Sequence, residues 1–274
     1  MTATSGSALY AQLCDLGWHD LLTGPPEVAG IAVPLVFRLL GETGAHAPLL
    51  DDVLAHAAGR PLGETVPLPF TGGTWVRWAH ELPPGSPEPV DPDLPLLLLG
   101  DTTELPSAAA LPTQAGRRAL GWWLVGSARA MLDLARVHAL ERHQFGKPVA
   151  GFQAVRHRLA ESLVAIEGAE AALTVSPADA DHPAHPDLYS PRPEESEALG
   201  ALLAKAAAGR AALVTARNCQ QVLGGIGFTA EHEFHRHYKR VLVLDGLLGS
   251  ARELTREAGA ALRELGYAPR LAHL

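Results

Sequence analysis

Apolar residues recur along this chain in two rhythms. Up to residue 58 they return every three or four positions: Leu9, Leu13 and Leu16 share one face, and Leu35, Val36, Leu39 and Leu40 form a second stripe. Asp51 is placed to cap the start of a third short helix, and Pro25, Pro26 and Pro48 supply the stops. Residues 1–58 therefore read as a helical block. Between residues 59 and 112 the rhythm breaks. Prolines at 61, 67, 69, 83, 84, 87, 89, 92, 95, 106 and 112 interrupt any helix before it propagates, and only short strands are expected, at 66–70, 74–78 and 96–99. Three such pieces make a small, irregular sheet.

After Pro112 the helical period returns. A helix is predicted over residues 113–143, apolar at Leu120, Leu124, Met131 and Leu134. A second starts at Phe152, where Phe152, Val155, Leu159, Leu163 and Ile166 fall on one face by their spacings of three and four. The stretch SPADADHPAHPDLYSPRPE, 176–194, has five prolines and almost no large apolar side chain, so it reads as a loop. A third helix spans 195–223 and stops at Gly224 and Gly225. The last is expected after Thr229, whose hydroxyl suits a first turn. Residues 113–274 thus read as a four-helix bundle, and the whole chain as mainly α with a reduced middle β segment.

A chain of 274 residues with 47% hydrophobic content can bury a substantial core. Its net charge of −8 and lack of a long basic run argue against nucleic acid, which needs clustered Lys and Arg. Two cysteines, Cys14 and Cys219, are too few for a disulfide framework and imply a reducing, cytoplasmic setting. The apolar stretches are expected to be broken well short of a membrane span. His232, His235 and His237 in HEFHRH invite a metal reading, but H-E-x-x-H requires histidine where Arg236 stands, and a polar helix face is expected instead. His182 and His185 read as loop composition.

Two motifs carry the candidate chemistry. In ERHQFGKPVAGFQ, 141–153, Arg142, Gln144 and Phe145 project from a turn where a guanidinium can meet a pyrophosphate and an aromatic ring can cover an adenine. Taken alone they serve a helix end equally well, Arg142 complementing the macrodipole and Phe145 stapling the turn. In QVLGGIGFT, 221–229, glycines admit a ligand to the backbone, although a helix C-cap explains a lone glycine turn as readily. It is neither a P-loop nor a dinucleotide fingerprint.

Together, in this order and at this separation, the motifs resemble the acyl-CoA dehydrogenases over about residues 112–258. A fainter likeness lies in LGWHDLLTGPPEVAGIAVPLVFRLLGETG. The resemblance implies FAD, bound mainly by a neighbouring subunit, with its ADP part touched across the interface by Arg142, Gln144, Phe145, Gln153, Gln221, Leu223, Gly224 and Gly225. Two departures stand against a complete enzyme. The family's T-E-P and W-I-T-N strands, which belong to the flavin-ring pocket, do not occur. The family's catalytic glutamate, in E-G-T, falls without gaps on Leu248 of Leu-Gly-Ser, and its alternative position falls on Gly116, ahead of Arg117. Asp245 is the nearest carboxylate, but three residues of helix rotate it by about 60° from the required spot.

The resemblance then implies a catalytically silent subunit of a hetero-oligomeric dehydrogenase, like the α2β2 enzymes that desaturate bulky CoA thioesters such as steroid side chains. A second dehydrogenase-like subunit would supply the glutamate. The alternatives are a structural or regulatory protein without flavin, and a self-sufficient dehydrogenase that uses Asp245.

Overall fold

The computed structural model describes residues 5–79, 89–90, 94–100, 111–175 and 193–266. Most of the proline-rich stretch at 176–194, with His182 and His185, lies outside them.

Four helices open the chain: α1 (Ser7–Asp15), α2 (Trp18–Thr23), α3 (Pro26–Thr43) and α4 (Leu49–Ala57). Pro26 sits in the first turn of α3, where a missing N–H costs nothing, and Gly44 ends that helix at φ 66. The expected cap at Asp51 is not found. Pro48 precedes α4, and Asp51 lies inside its first turn, 1% exposed. Its neighbour Asp52 accepts hydrogen bonds from Trp18 Nε1 at 2.9 Å, the Gly63 N–H at 2.8 Å and the Tyr10 hydroxyl at 3.2 Å. The second stripe is also split. Leu40 enters the core, whereas Leu35 and Leu39 are 54% and 45% exposed on the outer face of α3.

The middle segment forms a three-stranded antiparallel sheet, β1 (Leu68–Phe70), β2 (Thr74–Trp78) and β3 (Leu96–Leu98), in sequence order. Leu68 pairs with Val76, and Trp78 with Leu96. All four side chains are buried, so one face of this small sheet is core.

The remainder is α5 (Thr113–Glu141), a hairpin of β4 (His143–Gln144) and β5 (Lys147–Pro148), α6 (Gln153–Thr174), α7 (Pro193–Leu223), α8 (Phe234–Gly246) and α9 (Ala251–Leu265). Helices α5 to α8 form the predicted bundle, and α9 packs on α7. Three expectations need correction. On α6 the buried positions are Ser162, Ile166, Ala169 and Leu173, and Leu163 is 43% exposed. Thr229 caps nothing: its hydroxyl donates to the Ile226 carbonyl at 2.9 Å, and α8 waits until Phe234, whose N–H is taken by His232 Nδ1 at 3.1 Å. The last helix is two helices, broken at residues 247–250. A fourth concerns the membrane: over Glu195–Phe228 the chain is long and apolar enough to cross one, with 61% of the most apolar window buried inside the fold. That is the pattern of a core helix.

One core joins all three segments. Trp123 of α5 stacks on Trp78 of β2 at 5.9 Å and meets Phe37 of α3 edge-on at 5.8 Å, and Phe37 in turn meets Trp18 of α2 at 6.4 Å. At the crossing of α3 and α5 the backbones touch. A Cβ at Gly126 would lie 2.1 Å from the Arg38 carbonyl oxygen, and one at Gly41 2.3 Å from that of Trp123. From α8, the buried Arg240 donates through Nη1 to the carbonyls of Gly44 and Ala45, at 2.6 and 3.0 Å, and so closes the C-terminus of α3.

Candidate functional site

The first motif is a tight hairpin. His143 pairs with Pro148 and Gln144 with Lys147, leaving Phe145 and Gly146 as the two turn residues at φ 53 and 75. Two consecutive positive φ values are those of a type I′ turn, which matches the twist of the flanking strands. The turn holds the Phe145 ring out in solvent, 91% exposed, in edge-on contact with Phe152 at 6.1 Å. Phe145 therefore staples little, and the helix-end explanation loses its aromatic part. Arg142 follows the last turn of α5 with an exposed side chain, and its carbonyl takes the Val149 N–H at 2.7 Å. Gln153 opens α6, exposed, with Nε2 3.3 Å from His157.

The second motif lies at the same end of the bundle. Asn218, five residues before the end of α7, bonds Arg158 at 3.2 Å and Ser162 at 3.2 Å, near the start of α6. Beyond it Gln221 is exposed, Gly224 turns the chain at φ 63, and a Cβ at Gly224 or Gly225 would meet nothing within 4 Å. Open glycine backbone and an exposed ring, amide and guanidinium thus lie on one rim at that end of the bundle. Leu223 is different: its side chain is 4% exposed, so only its backbone faces the rim. His138, one turn before the hairpin, is held below the ordinary histidine range by burial, then by the nearby His232 and Arg142. Among the described residues no group of three His, Cys, Asp or Glu side chains is arranged to hold a metal.

The two positions for a catalytic carboxylate, 132 residues apart in sequence, meet in space. A Cβ at Gly116 would lie 2.8 Å from Leu248 Cδ1 and 2.8 Å from Leu54 Cδ2. Leu248 is 1% exposed and sits in the left-handed region at φ 54. Its N–H donates to the Pro69 carbonyl at 2.8 Å, and its carbonyl accepts from Arg117 Nε at 3.2 Å. Phe70 seals the flank: its backbone bridges Leu247, and its ring would stand 2.6 Å from a Cβ at Gly246. Leu248, Leu54 and Phe70 thus form an apolar plug around the two positions at which the resemblance places a base.

Asp245 is committed elsewhere. Its Oδ1 accepts the Ala251 N–H at 3.0 Å, and Gly209 of α7 leaves the room for it. Beside it the fully buried Lys205 donates to the carbonyls of Asp245 and Gly249, at 2.9 and 2.5 Å. Burial pushes Lys205 down to about 7, against the pull of Asp245, and pushes the Asp245 carboxyl up, against that of Lys205. The pair clamps the turn that carries Leu248. Sequence reasoning missed Lys205 and the plug residues Leu54 and Phe70. The signal for Lys205 was a lone cation in the small-residue run ALLAKAAAG; the others had none, because their contacts are long-range.

The family description "Acyl-CoA dehydrogenase, C-terminal domain" matches residues 108–261. The acyl-CoA dehydrogenase FadE34 of Mycobacterium tuberculosis (strain ATCC 25618 / H37Rv) is 37% identical over 150 residues, 53% of this chain and 19% of FadE34. IpdE2 of the same organism is 36% identical over 132 residues, 48% of this chain and 36% of IpdE2. The chain therefore spans well under half of these curated relatives. Among solved structures, the Tcur3481-Tcur3483 steroid ACAD G363A variant has a TM-score of 0.68 at 20% identity, covering 96% of this chain and 91% of that one. The ChsE4-ChsE5 complex from Mycobacterium tuberculosis has a TM-score of 0.61 at 19% identity, covering 98% and 91%. The family description covers more than half of the chain, and the two solved structures share its fold: the chain belongs to the acyl-CoA dehydrogenase family.

Proposed function

We propose that this chain is the subunit without acid–base chemistry in a hetero-oligomeric, FAD-dependent acyl-CoA dehydrogenase that desaturates a bulky acyl-CoA, one with a steroid side chain being the case in view. The observation that supports this reading is the contrast between the exposed Arg142, Gln144, Phe145 and open glycine backbone at one end of the bundle and the buried Leu248 packed at Gly116. Arg142 would meet the pyrophosphate, Phe145 the adenine, and Gln144, Gln153, Gln221 and the backbone of Leu223, Gly224 and Gly225 the remainder of the ADP part. Bound FAD supplies the hydride acceptor of the reaction. The glutamate that removes the α-proton comes from a second dehydrogenase-like subunit, since neither Gly116 nor Leu248 can hold or move a proton and Asp245 is hydrogen-bonded away. The steroid substrate class and the two-chain assembly are drawn from the steroid ACAD and the ChsE4-ChsE5 complex whose fold this chain shares. Two free cysteines fit a cytoplasmic setting.

The test is purification of the chain alone and with its partner, followed by visible spectra and acyl-CoA turnover. The complex is expected to hold flavin and turn over, and the chain alone to do neither well. Arg142→Ala in the complex should lower flavin occupancy, a charge-assisted contact being worth about 1.5–3 kcal/mol. Turnover by the isolated chain would overturn the reading. A complex without flavin would point instead to a structural subunit.

A further inference from the structure

Over residues 23–36 no side chain is buried, although Val28, Ile31, Val33, Leu35 and Val36 are all large aliphatics. Val28, Ile31 and Leu35 are 39%, 71% and 54% exposed. The stretch is fixed on both sides. Before it, Trp18 and Leu22 of α2 are 1% and 4% exposed, and Trp18 Nε1 donates to Asp52 at 2.9 Å. After it come Phe37, Leu40 and Gly41, the buried residues of α3, and Gly41 rests on the backbone of α5.

The unburied half of α3 is also the half with the weaker helix. Pro34 lies inside the helix and has no N–H to give, so the Gly30 carbonyl one turn earlier loses its partner from that position. Gly30 itself is the residue type that costs a helix most after proline, and a Cβ there would meet nothing within 4 Å, so no packing demands a glycine. At the other end only Gly24 and Pro25 join the half to α2. A segment with a missing hydrogen bond and few buried contacts lies at the low end of local stability.

Beside this segment lies an apolar cleft of about 630 Å³. Ile31, Pro34 and Leu35 belong to its α3 wall, and Ala57 of α4 with Ala115 and Ala119 of α5 line it too, side chains short enough to leave the space open. An exposed isoleucine on the edge of such a hollow is stabilised by entering it, because apolar area then leaves water.

We propose that residues 26–33 form a strap, hinged at Gly24 and at Pro34 with Gly30 easing the bend, that closes over this cleft as Ile31 drops into it. The inference is independent of the flavin reading. Every part of the device belongs to this chain, and it needs neither FAD nor a partner subunit.

Pulsed dipolar electron resonance on the full chain tests it, with Cys14→Ser and the buried Cys219 left in place. One nitroxide sits at the exposed Arg156→Cys of α6, and the other either on the strap at the exposed Glu27→Cys or on the anchored half at Leu39→Cys, where leucine is 45% exposed. Two distances are expected from Glu27→Cys and one from Leu39→Cys. Pro34→Ala, which restores the missing helix bond, and Ile31→Ser, which removes the side chain that enters the cleft, should each deplete the same one of the two components roughly 5-fold or more. The thermal midpoint of Pro34→Ala should be unchanged or raised. A single distance from Glu27→Cys would overturn the strap. Two distances whose populations ignore Pro34→Ala would overturn the hinge, and populations that ignore Ile31→Ser would overturn closure onto the cleft.

Discussion

At the scale of single residues, the proposed role turns on Leu248, buried and in the left-handed region. Restoring the glutamate by Leu248→Glu is expected not to create a dehydrogenase, because the side chain would enter a space closed by Leu54 and Phe70 rather than a substrate channel. It should instead cost on the order of 3 kcal/mol, the penalty of an unpaired charge in a dry site, read from the urea midpoint. His237 supplies the second residue-scale expectation. Burial, then Arg240 and Arg236, lower it from 6.5 to about 4. Its neutral form is thus preferred on folding, so its contribution to stability is complete above pH 6.5 and is lost as pH falls towards about 4. The urea midpoint of the wild-type protein should drop more steeply over that window than that of His237→Gln. Asp51 works the other way: burial, then the Asp52 charge, push it well above the carboxylate range, so its contribution is full in acid and lost as pH rises. Much of this scale was legible. The ungapped register pointed to Leu248 and the following Arg117 to Gly116, and the fold brings those two positions together. What closes over them was not, because Phe70 reaches residues 246 and 247 across the whole fold.

Elements were legible in proportion to how locally they are determined. Helices α5 and α7 end close to where their periodicity and Gly224 put them. The split between α8 and α9 was invisible, because Leu247 and Leu248 continue the apolar rhythm. The break is imposed from outside, by the Pro69 carbonyl taking the Leu248 N–H and by Lys205 taking two carbonyls of the turn. Ser250 and Glu253 then restart the helix with a reciprocal capping box. Alignment of α3 against α5 rests on two glycines. Gly126→Ala, at a helical position where alanine is intrinsically preferred by about 1 kcal/mol, is nevertheless expected to destabilise the protein by about 2 kcal/mol or more. Its methyl group would fall 2.1 Å from a carbonyl oxygen that belongs to another helix's backbone. A denaturant titration of the variant decides the sign.

For the molecule as a whole, the aromatic column Trp18, Phe37, Trp123 and Trp78 ties the helical block, the bundle and the sheet into one core. Unfolding followed by tryptophan fluorescence and by far-ultraviolet circular dichroism should therefore give coincident curves, and two separated transitions would show that the column does not couple the segments. The sequence reading divided the chain at residues 58 and 112 because composition changes there; it had no means of seeing that tryptophans from each side stack. The backbone contact of Gly41 and Gly126 has a mechanical corollary. Packed helices slide past one another by small readjustments of interlocked side chains. Where main chain rests on main chain there are no rotamers to readjust, so sliding of α3 along α5 is blocked and the joint can only rock about that point. Rocking at that pivot would change the separation between Ile31 and Leu35 of α3 and Ala115, Arg118 and Trp122 of α5, which face one another across a cleft of about 630 Å³.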